Sequence, residues 1–368
     1  MSTSPQPEGP ASPAHPAAPS PLPAAIAYYP PPPPRRRGFF GRLLVSLFMF
    51  IFLASLFMNF VLAGFTASVL NEGRVQEKFV SHDIKAKDKI AILPIEGIIL
   101  ESEDGFVKRA IDTAIEDEHV KAIVLRVDSP GGSVSGSDYI YHHLRELVKK
   151  RNIPIVVSMG GIAASGGYYV SMAVGDVTDT IYAEPTGFTG SIGVIIPHYN
   201  VAGLMDQYKV VDDSIASNPL KEMGSITKPM SKAEKDIFQK LVDESFAHFK
   251  KVVCEGRPMF KKDTAALDKL ATGRIYTAEQ AAKNGLVDKL GFVEDAVDRA
   301  IELAHLDKDK VKVVRYKMEP GLSSVLLGSQ SRSSASLDLK TLLDITTPRA
   351  YYLVSWLPGL TQAGKQEN

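Results

Sequence analysis

The chain has 368 residues with 42 basic and 42 acidic side chains and no net charge, so no basic field points to nucleic acid as a partner. Its single cysteine, Cys254, excludes an intrachain disulfide framework and a multi-cysteine zinc site. Length alone allows two average domains, but the residues are unevenly distributed.

Thirteen of the 24 prolines fall in the first 34 residues. This stretch ("PASPAHPAAPSPLPAA", then "YYPPPPP") has almost no charge and no hydrophobic periodicity. It cannot bury enough apolar surface to offset its ordering entropy, so residues 1–42 are expected to be a disordered or polyproline-like tail with a basic end. A solvated spacer is the simpler role, and a docking site for a proline-reading domain is the alternative. Between Arg42 and Glu72 no residue is charged. A bilayer core of about 30 Å needs about 20 helical residues, so residues 43–70 are expected to be one transmembrane helix. A cleaved signal peptide is the competitor, but its apolar region would be only about 7–15 residues long. Arg35, Arg36, Arg37 and Arg42 precede the run, while only Glu72 and Arg74 follow it closely. Positive charge stays on the cytoplasmic side, so the tail is expected inside and everything after residue 71 outside. In a bacterium this means the inner, cytoplasmic membrane, with the bulk of the chain extracytoplasmic.

Residues 71–88 read as a linker, and residues 89–318 as one α/β domain. "KIAILPIEGIIL" is strand-like, and Val107, Ala110, Ile111, Ala114 and Ile115 then recur at helical spacing. "VKAIVLRVDSP" is a second strand, "GSDYIYHHLRELVKKRN" a helix and "IPIVVSM" a third strand. "SGGYYVSMAV" reads as a short helix, "DTIYAEP" and "GSIGVII" as further strands. A long amphipathic helix opens at Ser231 with Glu234 three residues later, the capping-box arrangement. Apolar strands alternating with amphipathic helices imply a mostly parallel sheet covered by helices. Residues 319–368 form a C-terminal extension of no assigned role, although "LKTLLDITTPRAYYLVSWLPGL" is apolar enough to pack on something.

Two loops after apolar strands carry chemistry. In "RVDSPGGSVSGSD", Gly131 and Gly132 would let backbone N–H groups approach a ligand that a Cβ would hinder. Such donors stabilise the oxyanion of an acyl-transfer transition state by a few kcal/mol each; an ordinary tight turn is the other reading. The loop lacks the Gly-Lys-Ser/Thr ending of a phosphate loop. In "MGGIAASGGYYV", Ser165 stands at the start of a helical run, as a nucleophile or as a plain N-cap. Ala163 occupies the place of the first glycine of a nucleophile elbow, which disfavours the α/β-hydrolase version.

A serine nucleophile needs a base. Of the eight histidines, His198 alone follows an apolar strand in a loop setting. A lysine serves only if its surroundings keep the amine neutral. Of Lys209, Lys221, Lys228, Lys232 and Lys235, Lys221 sits in an irregular segment rich in small residues, "IASNPLKEMGSITKPMS", from which it could reach a cleft, while Lys232 and Lys235 lie on the polar face of the long helix.

Taken in order, "DSPGGSV", "ASGGYY", "TGSIGVI", "NPLKEMGS" and "ATGRIYTAEQAAKNGLVDKLG" resemble the bacterial signal peptide peptidase A family in its short single-domain form, over roughly residues 89–300. The resemblance implies a ClpP/crotonase-like α/β fold preceded by one transmembrane helix, and a serine protease with a Ser–Lys dyad. It assigns Ser165 as nucleophile, Lys221 as general base, Gly131 and Gly132 as the oxyanion loop and Gly166 N–H as a second donor. Ser191 matches a serine that orients the lysine amine. The implied partners are signal-peptide remnants or other membrane-derived peptides, the membrane, and further copies of the chain. Those copies would form a homo-oligomeric ring in which a neighbour can complete each dyad. No metal or organic cofactor is implied. A crotonase-like acyl-CoA enzyme and a non-catalytic scaffold are the alternatives. The proline tail and residues after about 318 are not part of the shared pattern.

Overall fold

The computed structural model describes residues 38–71, 74–100, 105–318 and 350–353. The proline-rich tail and most of the expected C-terminal extension lie outside them. Residues Met1–Ala63 and Gly64–Asn368 are separate compact units. Helix α1 (Phe39–Asn71), which runs past that boundary, contains the apolar span Phe40–Gly64, 25 residues with a mean hydropathy of 2.4. At 1.5 Å per residue it is about 37 Å long, enough to cross a membrane by length and composition.

The second unit begins with β1 (Val75–His82), β2 (Lys89–Ile99), α2 (Phe106–Glu116), β3 (Val120–Ser133) and α3 (Val134–Arg151). Then come β4 (Ile155–Ala164), α4 (Gly166–Ser171), β5 (Ile181–Ala183), β6 (Phe188–Gly190) and α5 (Ala202–Gln207). Helices α6 (Lys232–Gly256), α7 (Pro258–Lys262) and α8 (Thr264–Leu270) lead into β7 (Ile275–Thr277) and α9 (Ala278–Lys283). The last elements are β8 (Lys289–Leu290), α10 (Val293–Leu303), β9 (Lys312–Met318) and β10 (Tyr351–Leu353). Strands run in the order β1-β9-β2-β3-β4-β5-β8, and every pairing from β9 to β8 is parallel. Strand β1 is antiparallel at one edge; β6 continues the sheet beside the end of β4, and β10 lies antiparallel to the end of β3.

Successive side chains of a strand face opposite sides of the sheet. Ala91, Leu93, Ile123, Leu125, Ile155 and Val157 therefore share one core with Ile111, Leu144, Tyr168 and Phe249 from the helices. Ile90, Ile92, Ala122, Val124 and Val156 face the other side, against Ala296, Val297, Ala300 and Ile301 of α10. Burial on both faces is why these strands read as unbroken apolar runs rather than alternating ones. Helix α6 opens with the expected box: Glu234 N–H donates to Ser231 Oγ at 3.3 Å, and Ser231 N–H donates to Glu234 Oε2 at 2.6 Å.

Two expectations are corrected. The "GSIGVII" strand stops at Gly190, because Ser191 turns the chain at φ +48°. Past that corner Ile195 forms an isolated bridge with Tyr351. The stretch 71–88, expected as a linker, contains β1, which pairs with β9 from Val75 to His82. Its side chains are mostly polar and exposed, so it carried no hydrophobic period; it covers the edge that β9 would otherwise present.

The edge is fastened by Lys89, whose ammonium pairs with Glu77 of β1 and with Asp117 after α2. Burial works against the Lys89 charge, but the hydrogen bonds to Asp117 and Glu77 outweigh it and raise its pKa. Burial likewise works against the Asp117 carboxylate, and bonds from Lys89 and the His119 N–H outweigh that and lower its pKa. Asp117 thus stabilises the fold fully above its unfolded pKa of about 4, and that contribution is lost as pH falls through the lower folded value. The Lys89 contribution is full below about pH 10 and is lost only as pH rises through its raised folded pKa. Lys89→Met should therefore be destabilising at neutral pH, with the gap to wild type in urea unfolding narrowing from about pH 6 to pH 3. A gap that stays constant over that range would show that this cluster is not its source.

Candidate active site

Strands β3 and β4 are neighbours in the parallel sheet and release their loops at the same edge. At the end of β3, Gly131 has φ +103°, in the region only glycine adopts without strain. A Cβ on Gly131 would stand 2.0 Å from the Tyr352 carbonyl oxygen and 2.7 Å from Gly166 N; one on Gly132 would stand 1.7 Å from the Ile99 carbonyl oxygen. Both glycines are therefore required by close backbone approach. Their N–H groups are not equivalent. Gly131 N–H donates to Ser129 Oγ at 3.1 Å, and Ser129 Oγ donates to the Gly97 carbonyl at 2.6 Å. Gly131 shapes the loop, while Gly132, whose N–H Ser129 does not capture, lies opposite Tyr352 of β10.

At the end of β4, Ser165 has φ +55° and ψ −113°. These are the angles of the first central residue of a type II′ turn, where glycine is the default. A non-glycine residue there is strained by an order of 1–3 kcal/mol and is held by its surroundings. Ser165 N–H donates to the Gly190 carbonyl at 2.8 Å, and the Ser165 carbonyl accepts from Tyr169 N–H at 2.8 Å. The residue is 1% exposed, and its Oγ makes no hydrogen bond among the described residues. Gly166, the first residue of α4, has an N–H without a partner inside the helix. A Cβ on Gly166 would lie 2.4 Å from Ser137 Oγ and 3.1 Å from Gly132 N. Ser165, Gly131, Gly132 and Gly166 thus meet at one place, with a hydroxyl beside two differently sourced amides. That arrangement can receive a carbonyl carbon and hold its oxygen.

Ser191 joins the same cluster through the chain: it follows Gly190, whose carbonyl anchors Ser165. It has φ +48°, is 7% exposed and donates its N–H to the Arg274 carbonyl at 2.7 Å. Lys221 does not join the cluster. It lies in the exposed 3-10 turn Pro219–Glu222, where its backbone N–H donates to the Asn218 carbonyl at 2.9 Å, and no side-chain hydrogen bond or ion pair links its amine to Ser165, Ser191 or any other described residue. Nor does His198, whose Nε2 lies 3.1 Å from the Ser225 carbonyl oxygen. Cys254 is half-buried, and burial pushes its thiol pKa up, away from reactivity.

Several residues around the site had no reading in the sequence. Ser129 could have been recognised, since a serine two residues before a turn glycine often bonds its N–H. Gly190 and Ser137 act through tertiary contact and leave no local signal. The same holds for Tyr169 of α4, whose hydroxyl donates to Asp138 Oδ1 at 2.6 Å. Burial, then that bond, raises its phenol pKa and keeps it neutral.

Residues 148–307 match the model of peptidase family S49, a span that holds Ser165, Ser191 and Lys221 but begins after Gly131 and Gly132. A Synechocystis sp. protein carrying a protease name is 36% identical over 252 residues, 68% of this chain and 87% of that protein. An Enterococcus faecium protein carrying the name of signal peptide peptidase SppA is 34% identical over 288 residues, 74% of this chain and 79% of that protein. The chloroplastic serine protease SPPA of Arabidopsis thaliana is 30% identical over 236 residues, 63% of this chain but 34% of its own length.

Proposed function

The chain belongs to peptidase family S49, and from that premise we propose that it is a membrane-anchored endopeptidase with Ser165 as nucleophile and Lys221 as base. Serine-peptidase chemistry and a ClpP-like α/β fold come with the family. The observation that carries the assignment is Ser165, held at a strained corner beside Gly132 and Gly166. In the reaction, a neutral Lys221 amine takes the Oγ proton and Ser165 Oγ bonds to the peptide carbonyl carbon. Gly132 and Gly166 N–H hold the oxyanion. The C–N bond then breaks, Lys221 returns the proton to the leaving amine, and water releases the acyl group from Ser165. Ser191 orients the Lys221 amine.

Helix α1 would tether this centre to the membrane, with Arg35, Arg36, Arg37 and Arg42 keeping its N-terminal end cytoplasmic. Substrates would be signal-peptide remnants or other membrane-derived peptides. An apolar cavity lined by Pro94, Ile98, Ile99, Phe106, Tyr139 and Ile140 suits such chains, and Ile98 and Ile99 pair directly with Gly131 and Gly132. A second copy of the chain would supply or cover Lys221. Tyr199, Leu204, Tyr208, Val211, Ile215 and Leu220, all near it in sequence, expose apolar side chains.

A fluorophosphonate probe tests the nucleophile on the detergent-solubilised full chain. Peptide mapping should place the adduct on Ser165, with labelling and cleavage of a synthetic signal peptide lost together. An adduct on another serine, or cleavage that survives full labelling, would overturn the assignment.

A further inference from the structure

Strands β3 and β4 run in step up to Val127 and Met159 and rejoin at Ser129 and Ala163. Over that interval β3 advances by two residues and β4 by four, so Gly160, Gly161 and Ile162 form a bulge. The bulge is also where β4 changes neighbours. Val157, Ser158 and Met159 pair with β5, whereas Ile162, Ala163 and Ala164 pair with β6. Ser165 stands two residues beyond the rejoined pair on β4, and Gly132 three residues beyond it on β3. The bulge therefore sets the gap between the nucleophile and its oxyanion donor. A slip of one residue there would turn Ser165 to the other face of the sheet.

Within the bulge, the Ile162 N–H is taken by a side chain of β3 rather than by its backbone: it donates to Asp128 Oδ1 at 3.1 Å. Beside Asp128, Arg126 donates to Ser158 Oγ at 2.9 Å and to Glu184 Oε1 at 2.5 Å. Glu184 N–H in turn donates to the Met159 carbonyl at 3.1 Å. A Cβ on Gly160 would stand 3.0 Å from both Arg126 Nη2 and Asp128 Oδ2, so these two side chains close over the bulge. From the other side β6 holds the same corner. Thr189 Oγ1 donates to the Ala163 carbonyl at 2.6 Å, and Ser165 N–H donates to Gly190. Those bonds fix Ser165 to β6 and not to β3. The link back to β3, the strand that carries Gly132, is the rejoined pair Ser129–Ala163 together with the Asp128 carboxylate. Asp128 is exposed, so its truncation takes little from the core.

We infer that Asp128 is a positioning residue for hydrolysis: by holding the Ile162 N–H it fixes the spacing between the Ser165 corner and the Gly132 amide. This rests on the reading of Ser165 and Gly132 as parts of the peptidase centre. In this role Asp128 touches neither the substrate nor the reacting atoms. Its effect falls on the transition state, where the bond from Ser165 Oγ and the contact to the oxyanion must form together. A displacement of about 1 Å is enough to cost about 100-fold in rate. Peptide binding in the ground state is spread over an extended segment and depends little on that one spacing.

The test is steady-state hydrolysis of a synthetic signal peptide by the detergent-solubilised full chain, comparing wild type with Asp128→Ala, Asp128→Asn and Asp128→Glu. Alanine removes the acceptor, asparagine keeps an oxygen at the same reach, and glutamate keeps the charge but lengthens the arm by one methylene. Asp128→Ala is expected to lower kcat roughly 10–100-fold with KM within about 3-fold of wild type. Asp128→Asn should restore kcat to within about 3-fold of wild type, which a role for the charge alone would not allow. Equal kcat for wild type and Asp128→Ala, equal losses in the alanine and asparagine chains, or a loss confined to KM overturns the inference. Should the alanine chain fail to fold, Asp128→Glu must lose kcat while Asp128→Asn keeps it, and a glutamate chain at the wild-type rate overturns the inference. Fluorophosphonate labelling of the wild type separates the inference from its premise. A missing adduct on Ser165 overturns both, whereas an adduct on Ser165 with kcat insensitive to Asp128 overturns the positioning role alone.

Discussion

Ser165→Ala should lower peptide hydrolysis by roughly 10⁴-fold or more, as loss of a serine nucleophile does in other serine peptidases, without unfolding the chain. The proposed oxyanion donors remain, since Gly132 and Gly166 N–H are backbone groups, so a small residual rate is expected. Ser165→Gly should be equally inactive but more stable than Ser165→Ala, and the sign follows from two magnitudes. Glycine relieves a strain of order 1–3 kcal/mol at φ +55° and costs about 0.5–1 kcal/mol in additional unfolded-state entropy. The difference favours glycine by about 1 kcal/mol, which in a unit of this size raises the melting temperature by about 2–4 °C. Alanine keeps its Cβ at the same corner and gains nothing. Activity of Ser165→Ala within tenfold of wild type would place the nucleophile elsewhere. A glycine variant that melts below the alanine variant would show that the corner is unstrained.

How far the sequence reveals this site depends on whether each residue acts locally or through the tertiary fold. Strands β2, β3 and β4 are legible because both faces of the sheet are buried, and so is α6, which carries its cap in its own first turn. Glycines after β3 and β4 mark loops that approach something closely, and the structure identifies that something as each other. Which glycine donates is not legible, because the answer depends on Ser129 Oγ capturing the Gly131 N–H. Ser165 read alone is as consistent with a helix cap as with a nucleophile, and its φ of +55° is a tertiary property with no local signal. Strand β10 is too short for any period to show. Its partners, Gly131 to Ser133 and Ile195, are far away in the chain. Lys221 is the opposite case: the family resemblance picks it out, yet its surroundings in the single chain give it nothing to act on.

That isolation makes a mixing experiment the sharpest test of the dyad. Lys221 lies in an exposed turn among exposed apolar side chains. A neighbouring copy that covers this segment would remove water from the lysine and bring it to a Ser165 at the same time. Ser165→Ala and Lys221→Ala chains, each inactive alone, are therefore expected to regain activity when co-expressed and purified as a mixed assembly. If each site takes its serine from one copy and its lysine from the next, random one-to-one mixing leaves about one quarter of the sites with both groups in a ring of identical contacts. Recovery should approach that fraction of wild-type turnover, and should vanish when either parent is replaced by the double variant. If instead the dyad closes within one chain, every site in the mixture lacks one group, and no activity appears at any ratio. A mixture that stays inactive although both chains are present in the same purified complex would therefore place Lys221 beside its own Ser165 after a rearrangement of the turn Pro219–Glu222, and would remove the neighbour from the mechanism.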